Sequence, residues 1–163
     1  MSTPLDRRYC TFQLGGLYLG VPVTKVQEVL RSQERTRVPL VSSVVDGLIN
    51  LRGEIVTTLD LRRRLELPPR DDDAEAMNVV IRSDEGVVSL LVDEIRDVLD
   101  VEEADFEPVP PTLTGPCRDL VTAIVKLDNS LLMVLDTERL LEIRDTSDQR
   151  TDQRADQRTA HHA

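Results

Sequence analysis

Apolar and polar residues alternate with a period of two along much of this chain, the spacing of half-buried strands. Cys10, Phe12 and Leu14 alternate with Thr11 and Gln13, and Leu17, Leu19 and Val21 return after Gly15-Gly16. Paired glycines tolerate the positive φ of a tight hairpin turn. Three more strand pairs follow: Val44–Leu51 with Ile55–Leu59 around Arg52-Gly53, Asn78–Ile81 with Val87–Val92, and Leu120–Leu127 with Leu131–Leu135 around Asp128-Asn129. A further strand is expected between Leu30 and Pro39, with a counterpart after Val98. Short helical pieces are predicted between the pairs. Thr24 would cap Lys25–Leu30, with Gln27 completing a capping box. Asp60 would cap Leu61–Leu65, which Pro68-Pro69 ends, and Asp136 would cap Thr137–Ile143.

The pattern repeats. Residues 44–67, shifted by 76 positions, align without a gap to 120–143 and are identical at seven of 24 positions. These are Val45/Val121, Leu51/Leu127, Leu59/Leu135, Asp60/Asp136, Arg63/Arg139, Leu65/Leu141 and Glu66/Glu142. A second match, shifted by 69, runs from 18–30 to 87–99 and pairs Val26 with Ile95, Glu28 with Asp97, Val29 with Val98 and Leu30 with Leu99. Two copies of one pattern predict a mainly β fold of two five-stranded barrels sharing a core, with halves at roughly 9–69 and 76–143. One barrel of that size is marginal alone, so a joint apolar face is expected. The tandem tetrads Ser147-Asp148-Gln149-Arg150, Thr151-Asp152-Gln153-Arg154 and Ala155-Asp156-Gln157-Arg158 carry almost no apolar surface. Residues 144–163 therefore read as a disordered tail, and 1–8 as a flexible N-terminus.

Composition narrows the chemistry. The only aromatics are Tyr9, Phe12, Tyr18 and Phe106, so the core must be Val, Leu and Ile, which favours strands. Net charge is −10, and the tail contributes none of it, since four Arg and four Asp follow residue 143. An acidic body repels phosphate backbones and anionic lipid surfaces, so neither nucleic acid nor membrane insertion is expected. Arg62-Arg63-Arg64 is the one basic cluster, read as helix solvation with favourable charge late in a short helix. No stretch approaches the ~18 apolar residues of a membrane span, and residues 1–8 lack the apolar core of a signal peptide. Cys10 reads as a buried thiol, and no cysteine spacing suits a metal or a disulfide framework. These features predict a cytoplasmic protein.

A catalytic centre is not expected. The only histidines, His161 and His162, lie in the tail, and no phosphate-binding glycine loop exists. Asp71-Asp72-Asp73 sits in a linker without the glycine and closing glutamate of a calcium loop, so no metal or cofactor is expected. A small barrel binding nucleic acid and an unrecognised hydrolase are the rival classes.

The two halves differ in one place. Arg52 and Gly53 become Asp128 and Asn129, and Glu28 becomes Asp97. An Arg52–Glu28 ion pair is therefore open only to the first half and would serve a partner there. The alternative is that Arg52 decorates a turn and Gly53 supplies its positive φ.

The run Gly47-Leu48-Ile49-Asn50-Leu51-Arg52-Gly53-Glu54-Ile55-Val56, with Leu59-Asp60-Leu61-Arg62, resembles the signature of CheW-type chemotaxis coupling proteins. Lys25-Val26-Gln27-Glu28-Val29, Val92-Asp93-Glu94-Ile95, Asp97-Val98-Leu99 and Val134-Leu135-Asp136 with Leu140-Leu141 are similar as well. The resemblance covers Tyr9 to Ile143. It implies two SH3-like barrels, no enzymatic activity, and an adaptor recruited to membrane-associated receptor arrays. Such proteins bridge the cytoplasmic tip of methyl-accepting chemoreceptors and the CheA histidine kinase. Position by position, it implies receptor or kinase contacts at Val26, Glu28, Gly47, Asn50, Arg52, Gly53, Ile95 and Val98. An adaptor of another kinase pathway, in surface motility or development, carries the same residues. Ser89, Thr122-Ala123 and the tetrads depart from the family pattern.

Overall fold

Eleven strands follow one another as two copies of one half, in a computed structural model that describes residues 7–31, 33–37, 43–71, 75–84 and 86–141. The tetrad tail, the first six residues, Asp72-Asp73 and the end of the helix capped by Asp136 lie outside the described residues. The first half holds β1 (Arg8–Leu14), β2 (Leu17–Pro22), β3 (Val26–Leu30), β4 (Val45–Leu51), β5 (Glu54–Asp60) and helix α1 (Leu61–Arg64). The second holds β6 (Met77–Ser83), β7 (Gly86–Val92), β8 (Glu94–Asp100), β9 (Phe106–Glu107), helix α2 (Pro116–Leu120), β10 (Val121–Lys126) and β11 (Leu131–Leu135), then helical residues 137–141. Adding 69 to the bounds of β1 gives those of β6, and adding 76 to Val45 gives Val121, where β10 starts. The repeat legible in the sequence is a repeat of structure.

The halves exchange strands. One sheet has the order β8-β1-β2-β11-β10-β9 and the other β3-β6-β7-β5-β4. Each therefore takes its first hairpin from one half and its remaining strands from the other. We call the five-stranded sheet the first barrel, because it holds β3, β4 and β5, and the six-stranded sheet the second. Their design is the same: β9 pairs with β10 through Glu107↔Ile124, and the isolated bridge Thr36↔Leu48 stands at the matching place in the first barrel.

The strands alternate between two interiors. On β1, Phe12 and Leu14 face a core shared by both sheets, together with Leu19, Val21, Val79, Ile81, Leu90 and Leu135. Tyr9 faces a smaller cluster inside the second barrel, with Val125, Leu132 and Val134. Ile49, Val56 and Val80 fill the first barrel. Strands buried on both faces need near-continuous apolar sequence, which Val79-Val80-Ile81 supplies.

Identical repeat positions make identical bonds. Asp60 accepts from the amides of Arg62 and Arg63, at 3.0 and 3.4 Å, and Asp136 accepts from those of Glu138 and Arg139, at 3.0 and 3.2 Å. Each carboxylate thus caps the orphan donors of a short helix. Arg63 Nη1 reaches the Ser43 carbonyl at 3.1 Å, and Arg139 Nη1 reaches that of Asp119 at 2.9 Å. The repeated Asp and Arg pin each helix to the segment before its hairpin in both copies.

Two local expectations fail. The predicted helix Lys25–Leu30 is a 3-10 turn, Val23–Lys25, followed by β3. Thr24 lies inside the turn, and its side chain caps nothing. Val23, Thr24, Val26 and Val29 are β-branched and lose side-chain freedom in a helix, whereas pairing with β6 satisfies the backbone. The strand expected between Leu30 and Pro39 is consequently displaced, and residues 33–37 contribute only the Thr36 bridge.

Candidate functional site

The β4–β5 hairpin turns on Arg52, at φ 53°, and Gly53, at φ 88°. Positive φ at both central residues matches the twist of the flanking strands. Gly53 supplies its conformation freely, and Arg52 holds one that L-residues disfavour. Asn50 Oδ1 accepts from the Gly53 amide at 2.8 Å and fixes the turn. Arg52 then extends to Glu28 on β3, with Nη1 2.8 Å from Oε2. Because β3 and β4 are the two ends of the five-stranded order, this pair ties one edge of the barrel to the hairpin at the other. Glu28 is largely buried, and its Oε1 has no hydrogen-bond partner, while Arg52 is 76% exposed. Its guanidinium retains free donors at the rim. The turn and the ion pair expected from the sequence are thus both present.

The other expected contact residues divide. Val98, on edge strand β8, is 56% exposed. Val26 and Ile95 are half-buried and pack against the shared core. Gly47 is buried, and a Cβ there would stand 2.5 Å from the Thr36 carbonyl oxygen, so its smallness admits the backbone of residues 36–37.

Exposed large apolar residues mark a surface that composition alone does not show. Among the described residues they are Val29, Ile55, Val98 and Leu131. The repeat relates them, since 29 plus 69 is 98 and 55 plus 76 is 131. Each barrel therefore exposes the same two apolar positions, one on its third strand, whose segment we call the rim, and one just past its hairpin turn. Val29 adjoins Glu28, and Ile55 follows Arg52 by three residues. The sequence pairing Val29/Val98 held this signal, but exposure was needed to read it.

The two rims differ in charge. Residues 94–107 carry seven carboxylates and one arginine, and the matching segment 25–37 carries four basic and two acidic residues. Beside the second rim lies an apolar groove of about 660 Å³, lined by Leu17, Tyr18, Pro108, Ile124, Leu131 and Met133. Residues 108 and 110, both proline, hold one wall extended.

Arg62 carries more than helix solvation. Its Nε and Nη2 donate to the two oxygens of Asp93, at 2.8 and 2.5 Å. Arg70 Nε and the Gly15 amide donate to the same carboxylate, at 3.0 and 2.7 Å. Burial pushes the Asp93 carboxyl up, but these donors outweigh it and bring its pKa down to about 2. The knot fastens α1 and the linker to the junction of β7 and β8. Burial raises the Cys10 and Cys117 thiols, which disfavours the reactive thiolate. Among the described residues no three His, Cys, Asp or Glu side chains are grouped to hold a metal ion, and no helix is long and apolar enough to cross a membrane.

Paired barrels with matched apolar rims, unlike charge and a rim-bridging ion pair define a protein-docking module. The comparisons agree with that class. Residues 8–145 match the family described as CheW-like domain, and the chain belongs to it. The chain is 34% identical to Chemotaxis protein CheW of Bacillus subtilis (strain 168) over 131 residues, 80% of this chain and 84% of that one. It is 30% identical to Protein FrzA of Myxococcus xanthus over 110 residues, 68% of each. The crystal structure of scaffolding protein TtCheW from Thermoanaerobacter tengcongensis superposes with a TM-score of 0.73 at 25% identity, covering 80% of this chain and 89% of that one. The SH3-like twin-barrel fold expected from the sequence is the observed one.

Proposed function

We propose that this chain is a non-catalytic coupling adaptor that holds the cytoplasmic tip of a methyl-accepting chemoreceptor beside a CheA-type histidine kinase. The observation that carries this reading is the pair of repeat-related rims at Val29 and Val98, set in opposite charge surroundings, with Ile55 and Leu131 exposed just past the matching hairpin turns. Like apolar centres give each rim an anchor, and unlike charge directs each to a different partner. The receptor tip is a helical hairpin, and the groove beside Leu131 suits an apolar helix face. Joining two weak contacts through one rigid body raises effective concentration. Recruitment to receptor arrays at the membrane then follows from the receptor contact, with the chain itself in the cytoplasm.

A reconstituted kinase assay tests the reading. Purified receptor and kinase should show chain-dependent activation that Val98→Asp abolishes while circular dichroism stays unchanged. Full coupling by that variant, or no coupling by the unaltered chain, counts against the proposal. The match to Protein FrzA motivates a second reading, an adaptor of another kinase pathway, which the same assay separates by changing the kinase.

A further inference from the structure

A second concavity lies away from both rims. It measures about 520 Å³ and sits between α1, the linker after it and the segment ending at Arg37. Five arginines line it, Arg35, Arg37, Arg62, Arg63 and Arg70, with Asp46, Asp60, Asp71 and Glu75. The fold does not require this lining, since the matching bridges place Pro108 opposite Arg37, and the repeat places Thr122 opposite Asp46 and Glu138 opposite Arg62.

The floor of the cleft is internally paired, four arginines against three carboxylates. Arg35 pairs with Asp46, Arg63 with Asp60, and Arg62 and Arg70 with Asp93. Among the described residues, its mouth keeps unpaired charge of both signs. Arg37 and Glu75 make no hydrogen bond or ion pair with another described residue, and Asp71 acts on Arg62 only at longer range. A simple anion would meet Asp71 and Glu75, and a simple cation would meet Arg37. The fitting ligand carries both signs a few ångströms apart.

We propose that this cleft binds a mixed-charge polypeptide segment, and that the segment is the chain's own Asp-Gln-Arg tetrad run at 147–158. In an extended chain, Asp and Arg two positions apart stand roughly 7 Å from one another. The run begins six residues after Leu141 and ends 17 after it, a reach of about 20 to 58 Å. A body of this size has a radius of gyration of about 14 Å, so the cleft is within range. Exposed ion pairs are individually weak, but tethering supplies a local concentration of order mM, which suits reversible occupancy.

Paramagnetic labelling of the full chain tests this. A nitroxide at Gln153→Cys, in a Cys117→Ser background, would broaden amides near the bound tail. At about 50 mM salt, Arg37, Asp71, Glu75 and Ala76 should lose about half their signal or more, and recover it at about 500 mM. Arg37→Glu should reduce the effect at least ~2-fold. Equal broadening at the cleft and at Thr122, or no salt dependence, overturns the proposal. A mixture of labelled unenriched chain and unlabelled enriched chain separates the sources. Broadening of comparable size in that mixture assigns the tail of a neighbouring copy and overturns the intramolecular site. None of these outcomes depends on the coupling role.

Discussion

Arg62 grips Asp93 through two donors although 31 residues separate them, and the same carboxylate holds Arg70 and the Gly15 amide. A folded pKa of about 2 lies below the ordinary value of 3.8. The stabilisation is therefore complete above pH 3.8 and is lost as pH falls toward 2. Asp93→Asn should cost about 1–3 kcal/mol at pH 7, because two guanidinium groups lose their counter-charge. The deficit should shrink as pH drops from 4 to 2. Urea denaturation of both chains across that range measures it.

Gly47→Ala should destabilise the fold by about 1–3 kcal/mol, the cost of overpacking against a backbone that cannot yield. Ala123 holds the matching place in the second half, so the same side chain is tolerated there. Denaturation midpoints of Gly47→Ala and Ala123→Gly check the contrast. The glycine variant should lose less.

Arg52→Ala should change stability by only about 0–1 kcal/mol, since its ion pair is mostly exposed. Arg52→Gly relieves the positive φ at the same position and should match or exceed the unaltered chain in stability. Both should weaken receptor-dependent kinase activation. Thermal melts and the reconstituted assay, run on the same samples, separate the two effects.

Thr58 is fully buried, and its hydroxyl has no hydrogen-bond partner. Its counterpart in the second barrel is Val134. Thr58→Val keeps the shape and removes an unmet polar group, so it should stabilise by about 1 kcal/mol. A rise in the melting temperature is the readout.

Hairpins and barrels were legible because β-branched alternation and turn glycines are local signals, and the repeat doubled them. Asp60 and Asp136 were readable as caps for the same reason. β3 was misread as a helix because Thr24 and Gln27 imitate a capping box, and only pairing with β6 overrules them. The Arg62–Asp93 knot was illegible because nothing local distinguishes a solvated arginine from one that finds a distant carboxylate. At the rim, Glu28 and Arg52 emerged from comparing the halves. Separating exposed Val98 from half-buried Val26 needed the third dimension.

Exchange of strands between the halves has a consequence for synthesis. As the chain leaves the ribosome, β3, β4 and β5 emerge long before β6 and β7, the strands that lie between them. The first barrel can close only after Val92 has appeared, and the second only after Leu135. Duplication here did not yield a unit that matures in two stages. The nascent polypeptide must carry unpaired edges until nearly its whole folded length is available.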